Sequence, residues 1–152
     1  MNVSSYVLST LFALSLVLPP AVSAECLTPS VKTLDYPAVE LAFGGYIVGM
    51  NQTGELGVRV TFVVDRVWKG AVPKRFDLYV WGLRSENPRF AFGQGYMVFA
   101  TRMLEYRARQ DVGLTDPGVL AFEPISCGAL DYWQRWEKAA IIKQFSEGRP
   151  PE

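Results

Sequence analysis

The stretch Gly57 to Gly70, G-V-R-V-T-F-V-V-D-R-V-W-K-G, limits the possible folds of this chain more than any other. Val58, Val60, Phe62, Val64 and Trp68 fall on one face, and Arg59, Thr61, Asp65 and Lys69 on the other, which also carries Val63 and Val67. Successive side chains leave a strand on opposite sides, so a period of two over this length is that of a half-buried β-strand. A strand so long, dry on one side and mixed on the other, fits a small antiparallel barrel or sandwich in which it bends to join two sheets. Its residues specify a scaffold and no chemistry.

The flanking segments read as partners for this strand. Leu41 to Met50 is a strand pattern interrupted by Gly44, Gly45 and Gly49, and glycine inside a strand marks a bulge or a close backbone approach. Asn51 to Gly54 supplies the turn that makes the first two strands a hairpin. Arg75 to Trp81 alternates again and is expected to be a third strand, antiparallel to the second, followed by a polar loop from Gly82 to Arg89. Gly93 to Gly95 is a turn before a fourth strand, Tyr96 to Leu104. Glu105 to Pro124 is expected to be a long, charged, solvated loop with a short last strand over Val119 to Phe122. Asp131 to Phe145 reads as a helix capped by Asp131, stopped by Ser146-Glu147-Gly148, and packed through Leu130, Trp133, Trp136, Ala140 and Ile141. Residues 149–152 are expected to be a flexible tail. Ahead of the first strand, Leu27 to Val39 reads as an irregular arm with one helical turn capped by Ser30 and limited by Pro37.

Residues 1–24 contain no charged side chain, include the apolar run Val7 to Leu18, break at Pro19-Pro20 and close on Val22-Ser23-Ala24. This is the pattern of a secretory signal cleaved after Ala24, and the apolar run is short of the ~20 residues that a membrane-spanning helix needs. Export to a periplasm or the extracellular space is therefore expected, as one domain over 25–148, with no stable membrane anchor after cleavage. Glu25 before Cys26 disfavours lipidation. In an exported chain the two cysteines, Cys26 and Cys127, are expected to form one disulfide. Closing a loop of about 100 residues in this way stabilises by roughly 4 to 5 kcal/mol in the chain-entropy model.

Composition removes several classes of function. Lys plus Arg and Asp plus Glu both number 15, and a chain with no net charge lacks the general affinity for nucleic acid that clustered cations give. Histidine is absent, which excludes histidine-based general bases, Ser-His-Asp or Cys-His arrangements and histidine metal ligands. A hydrolase built on Asp65, Asp77 and Glu105 would need carboxylates that face one another, and these are scattered on strand faces expected to be wet. Stacking of single-stranded nucleic acid on Tyr79 and Trp81 beside Arg59, as a barrel of this kind allows, is disfavoured by zero net charge and export. No cofactor or metal site is expected, and no catalytic residue.

Phe43-x-Gly45-x-Ile47, Val60-x-Phe62-x-Val64-x-x-Val67-Trp68-Lys69-Gly70, Phe90-x-x-Gly93-x-x-Tyr96-x-Val98-Phe99-Ala100 and a late Cys127 occur in that order. Over about residues 26 to 128 this pattern resembles the bacterial secreted relatives of the tissue inhibitors of metalloproteinases, which have a netrin-like OB-fold barrel. The resemblance implies a mostly β chain, a small antiparallel OB-fold-like barrel with the C-terminal helix packed against it. It also implies that Cys26 would take the place of the amino-terminal cysteine that reaches a protease zinc in the animal inhibitors. That capture uses a free amine, whereas cleavage after Ala24 puts the Cys26 nitrogen in a peptide bond with Glu25. The leading expectation is a non-enzymatic exported domain that binds another protein, through the arm near Cys26 or the Glu105 to Pro124 loop. Metalloproteinase inhibition around Cys26 is the alternative. Intact mass spectrometry of the exported protein, with and without reductant and alkylation, is expected to give a chain beginning at Glu25 with Cys26 bonded to Cys127. A chain beginning at Cys26 would reverse the order of the two readings.

Overall fold

Five strands, β1 (Leu41–Thr53), β2 (Gly57–Lys69), β3 (Arg75–Trp81), β4 (Gly95–Arg102) and β5 (Phe122–Asp131), pair in the order β3-β2-β1-β4-β5. Every neighbouring pair is antiparallel. The computed structural model describes residues 29–54, 57–81, 90–104, 108, 113–114, 120–131 and 135–152. β1 is the centre of the sheet: it pairs with β2 from Ala42 to Thr53 and with β4 from Leu41 to Tyr46.

The glycines of β1 set the shape of the β1–β2 hairpin. Register shifts fall at Gly44/Gly45 and at Ile47/Gly49, as the interrupted strand pattern implies, and also at Ala42/Phe43, where Trp68 of β2 is left without a counterpart. At Gly45 the backbone of β2 comes so close that a Cβ would lie 2.5 Å from the Val63 carbonyl oxygen, so no other residue fits without displacing the strand. Opposite this point Gly44 pairs with Arg66 and Gly45 with Val64, which leaves Asp65 as the extra residue of a bulge.

That bulge changes which β2 side chains face inward. Val60, Phe62 and Val64 alternate inward as expected, but Val67 follows them instead of Arg66 and Trp68. Val67, assigned by strict alternation to the wet face, is fully buried, and Trp68 moves to the opposite face. The residue inserted at Asp65 reverses the parity as far as the next irregularity, at Trp68.

Two apolar layers result. The inner one joins Phe43 and Ile47 of β1, Val60, Phe62 and Val67 of β2, Leu78 of β3 and Val98 of β4. Its rings meet edge-on, Phe43–Phe62 and Phe43–Phe76 at 5.3 Å between centroids and Phe90–Tyr96 at 5.0 Å, the arrangement aromatic quadrupoles favour. The outer layer lies under helix α1 (Arg135–Phe145), where Ile141 and Phe145 cover Ala42, Met97 and Phe99 together with Trp68.

The sheet curls around the inner layer until its edges face each other, with Phe76 of β3 and Phe122 of β5 in ring contact at 5.8 Å. Hydrogen bonding stops at those edges, so the expected barrel is an open five-stranded sheet and not a closed one. Among the described residues, β3 and β5 meet at this ring contact.

The carboxy-terminal third departs most from expectation. The last strand is not confined to Val119–Phe122: it runs from Phe122 to Asp131, and the helix begins at Arg135 and not at Asp131. Asp131, a good helix cap in isolation, pairs instead with Tyr96, because β4 offers a ladder that local capping cannot match. Leu130 pairs with Met97 in the same ladder and Ala140 is exposed, whereas Ile141 packs as expected, with Phe145 beside it; the Trp136 side chain lies outside the described residues. Trp133 lies outside the described residues, as does the loop expected over Gly82–Arg89. Residues 149–152 are no flexible tail: Arg149 exchanges two backbone hydrogen bonds of 2.8 Å with Val67, and the Glu152 N–H donates to the Val72 carbonyl at 3.0 Å.

The parity switch is testable by paired substitution. Val67→Asn, which buries an amide in the inner layer, is expected to lower unfolding free energy by about 2 kcal/mol or more, and Val63→Asn to change it by less than about 0.5 kcal/mol. Urea midpoints for the two variants decide it, and comparable losses would mean that β2 keeps strict alternation.

Candidate functional site

Two regions gather the side chains with chemical capacity. The first is the outward face of β1, β2 and β3. In the register of the sheet Asn51 stands beside Arg59 and Arg59 beside Tyr79, while Thr61 stands beside Asp77. The Thr61 hydroxyl donates to Asp77 Oδ1 at 2.6 Å, and both Thr61 and Tyr79 are buried although they point away from the inner layer.

The connection after β4 covers Tyr79. Met103, Ala108 and Ala121, with Leu114 beside them, pack on Tyr79. Backbone hydrogen bonds hold the connection in place, from the Met103 N–H to the Ala121 carbonyl (2.9 Å) and from the Leu114 N–H to the Ala108 carbonyl (3.0 Å). At its far point Gly113, at positive φ, lies against Gly54 in the β1–β2 turn. Part of a loop that composition marks as a solvated surface therefore straps the sheet. The missed signal was the spacing of its small and apolar residues, Ala108, Leu114 and Ala121, within a charged sequence.

Under this strap the electrostatics favour a neutral Tyr79. Burial pushes its phenol pKa above the usual 10.0, the Asp77 carboxylate pushes it further, and Arg59, which hydrogen-bonds the phenol oxygen, opposes both. Thr53 Oγ1 and Arg59 Nε are buried without a hydrogen-bond partner. Tyr79 offers no exposed ring to a ligand. Trp81 pairs through its backbone with Gly57.

The carboxylates considered as a catalytic set are dispersed. Asp65 forms an ion pair with Lys138 of α1, and Asp77 is engaged by Thr61. Asp77 stands opposite Thr61, four β2 residues from Asp65, which at ~3.3 Å per residue puts the two carboxylates on the order of 13 Å apart. Glu105 lies outside the described residues. Among the described residues no group of three or more His, Cys, Asp or Glu is placed to hold a metal ion.

The second region joins the amino-terminal arm to the end of β4. Ser30 opens a 3-10 turn (Val31–Asp35), its N–H donating to Thr33 Oγ1 at 2.9 Å, as its capping chemistry implies. Lys69, read from sequence as a wet-face charge, holds the arm down: its ammonium donates to the carbonyls of Leu34 (2.6 Å) and Tyr36 (3.3 Å). Glu40 then fixes the arm to β4, donating its N–H to the Ala100 carbonyl (2.9 Å) and accepting from the Arg102 N–H (2.9 Å) and guanidinium (3.3 Å).

From this junction two segments diverge with large apolar side chains in solvent. Val31 and Tyr36 on the arm are 46% and 55% exposed, and Leu104 and Leu120, flanking the Met103–Ala121 hydrogen bond, are 60% and 58% exposed. Cys26 lies outside the described residues. The Cys127 backbone is in β5, within the irregular stretch between Pro124, opposite Ala100, and Ala129, opposite Val98; its side chain is outside the description.

Comparison of the chain with protein-family models and with curated proteins finds no match.

Tyr79 gives a pH prediction. A phenol with a raised folded-state pKa holds its proton more tightly folded than unfolded, so its contribution is complete below pH 10 and is lost as pH rises through the folded value. Chemical denaturation at pH 9 and pH 11 is expected to show a loss of stability in the parent that is smaller in Tyr79→Phe. Equal losses would mean that Tyr79 titrates as a free phenol.

Proposed function

We propose that this chain is an exported, non-enzymatic domain of OB-fold-like topology that acts by binding another protein. The strand circuit supports the topology: the order β3-β2-β1-β4-β5, with the two edges in ring contact, is that of a five-stranded, partly open Greek-key barrel. Such scaffolds bind through strand faces and loops and leave the chemistry to whatever is grafted on them.

The observation that carries the binding reading is the junction at Glu40 and Arg102. Four large apolar side chains stand more than two-fifths exposed on the two segments that leave it, and both segments are held by hydrogen bonds before a partner arrives. Single exposed apolar residues are ordinary, but several on adjacent, pre-ordered segments at one end of a sheet suit a protein surface with an apolar centre. The arm and the connection after β4 are also the two segments that sequence reasoning favoured. Metalloproteinase capture belongs to the same class, with the added requirement of a free Cys26 amine.

A photo-crosslinking residue placed at Tyr36 and, separately, at Leu104 is expected to trap the same protein in the exporting cell. Tyr36→Asp and Leu104→Asp are each expected to weaken its binding at least about tenfold with an unchanged melting temperature, the effect of charging an apolar contact. Trapping of unrelated proteins from the two positions would sink the reading, as would turnover of a substrate abolished by a point change.

A further inference from the structure

The arm is seated on either side of Tyr36. Leu34 packs against the outer apolar layer, and Val39 is buried in that layer with Ala42, Phe99 and Ile141. Tyr36 stands between them with more than half its surface in solvent, although its backbone is bonded in both directions. Its N–H donates to the Thr33 carbonyl at 3.3 Å, and its carbonyl accepts from the Val39 N–H at 3.0 Å and from the Lys69 ammonium at 3.3 Å. It closes the 3-10 turn at φ −65° and ψ 129°, the extended conformation that a residue before proline favours, and the ring of Pro37 fixes the torsion that follows.

A side chain carried in this way is well suited to anchor an interface. Binding ordinarily costs the ordering of the segment that makes the contact, and here the backbone is ordered beforehand. Tyrosine has a larger contact area than the valine and leucines exposed near it, gives up only two torsions when immobilised, and carries a hydroxyl that adds direction. Residues that dominate binding energy are enriched in tyrosine, whereas leucine and valine are under-represented among them.

Lys69 is the part of the frame that comes from outside the arm. Its ammonium donates to the Leu34 carbonyl at 2.6 Å as well as to that of Tyr36, so one side chain of β2 grips the arm on both sides of Asp35. The two carbonyls lie at the end of the 3-10 turn, where a lysine satisfies acceptors that the turn itself leaves over. We infer that Tyr36 is the anchor of the binding surface, that Lys69 is its positioning residue, and that the partner supplies an apolar pocket with a polar group at its floor to meet the phenol. This rests on the binding reading above, within which Val31, Leu104 and Leu120 become the contacts that exclude water around the anchor.

The test has one part without a partner and one with it. Amide hydrogen exchange by NMR is compared in the parent and in Lys69→Met, which keeps the aliphatic stem and removes the ammonium. Exchange at Tyr36 and Val39 is expected to quicken at least about tenfold, while amides of the β1–β2 ladder keep their parent rates. The protein trapped by the crosslinking residue at Leu104 is then purified and its binding rates measured. Tyr36→Ala is expected to weaken binding about a hundredfold, and Leu120→Ala less than about fivefold. Lys69→Met is expected to slow association about tenfold with dissociation unchanged, because it lowers the population of the seated arm and not the contacts made once bound. Should Lys69→Met unfold the chain, Pro37→Gly frees the torsion after Tyr36 without touching β2, and is expected to act likewise. Parent exchange rates in a folded Lys69→Met or Pro37→Gly chain, or equal losses from Tyr36→Ala and Leu120→Ala, overturn the inference and leave the binding reading standing. Trapping of unrelated proteins from Tyr36 and Leu104 overturns both.

Discussion

The close approach of β1 and β2 at Gly45 is the constraint from which the rest of the architecture follows. Only a residue without a side chain lets the Val63 carbonyl come so near, and that approach sets Asp65 out of register as a bulge. With the bulge, Val67 turns inward against Phe43 and completes the inner layer, while Trp68 turns outward to meet Ile141 and Phe145 under α1. Without it, a strand of this length would put an arginine where Val67 sits. A single strand can serve two apolar layers because its parity changes partway along.

The same bulge decides where polar groups go. Asp65 is presented to Lys138 of the helix, Arg66 and Trp68 reach the carbonyls that follow the helix, and Lys69 reaches back to the arm. The end of β2 is thus a junction at which helix, arm and carboxy-terminal segment all meet one strand. Each of these contacts is modest by itself, since exposed pairs contribute little. Their common effect is to hold three non-sheet segments in one arrangement.

The opposite end of the hairpin is organised differently. There the connection after β4 packs small and apolar residues on Tyr79, which stands in a polar row with Arg59, Thr61 and Asp77. Burial beneath it raises the Tyr79 pKa, and in the same row Arg59 Nε is buried without a hydrogen-bond partner. Of the large apolar side chains exposed among the described residues, the proposed binding reading rests on those of the arm and the Leu104–Leu120 pair.

Sequence alone determined the first four strands, the glycine irregularities in β1, the turn at Ser30 and the absence of histidine chemistry, because each of these depends on local alternation, on backbone freedom at glycine or on composition. Asp131, Leu130 and residues 149–152 were decided only by tertiary structure. A capping aspartate, a leucine at helical spacing and a proline-rich terminus read locally as helix and tail, but β4 and the bared edge of β2 offered them backbone partners that lie far away along the chain. The candidate site divides in the same way. The arm and the post-β4 connection were legible as irregular segments, while the strap over Tyr79 and the grip of Lys69 on the arm were not. A lysine or a tyrosine in an alternating strand looks the same whether solvent or another segment covers it, and only the packing of distant residues settles which.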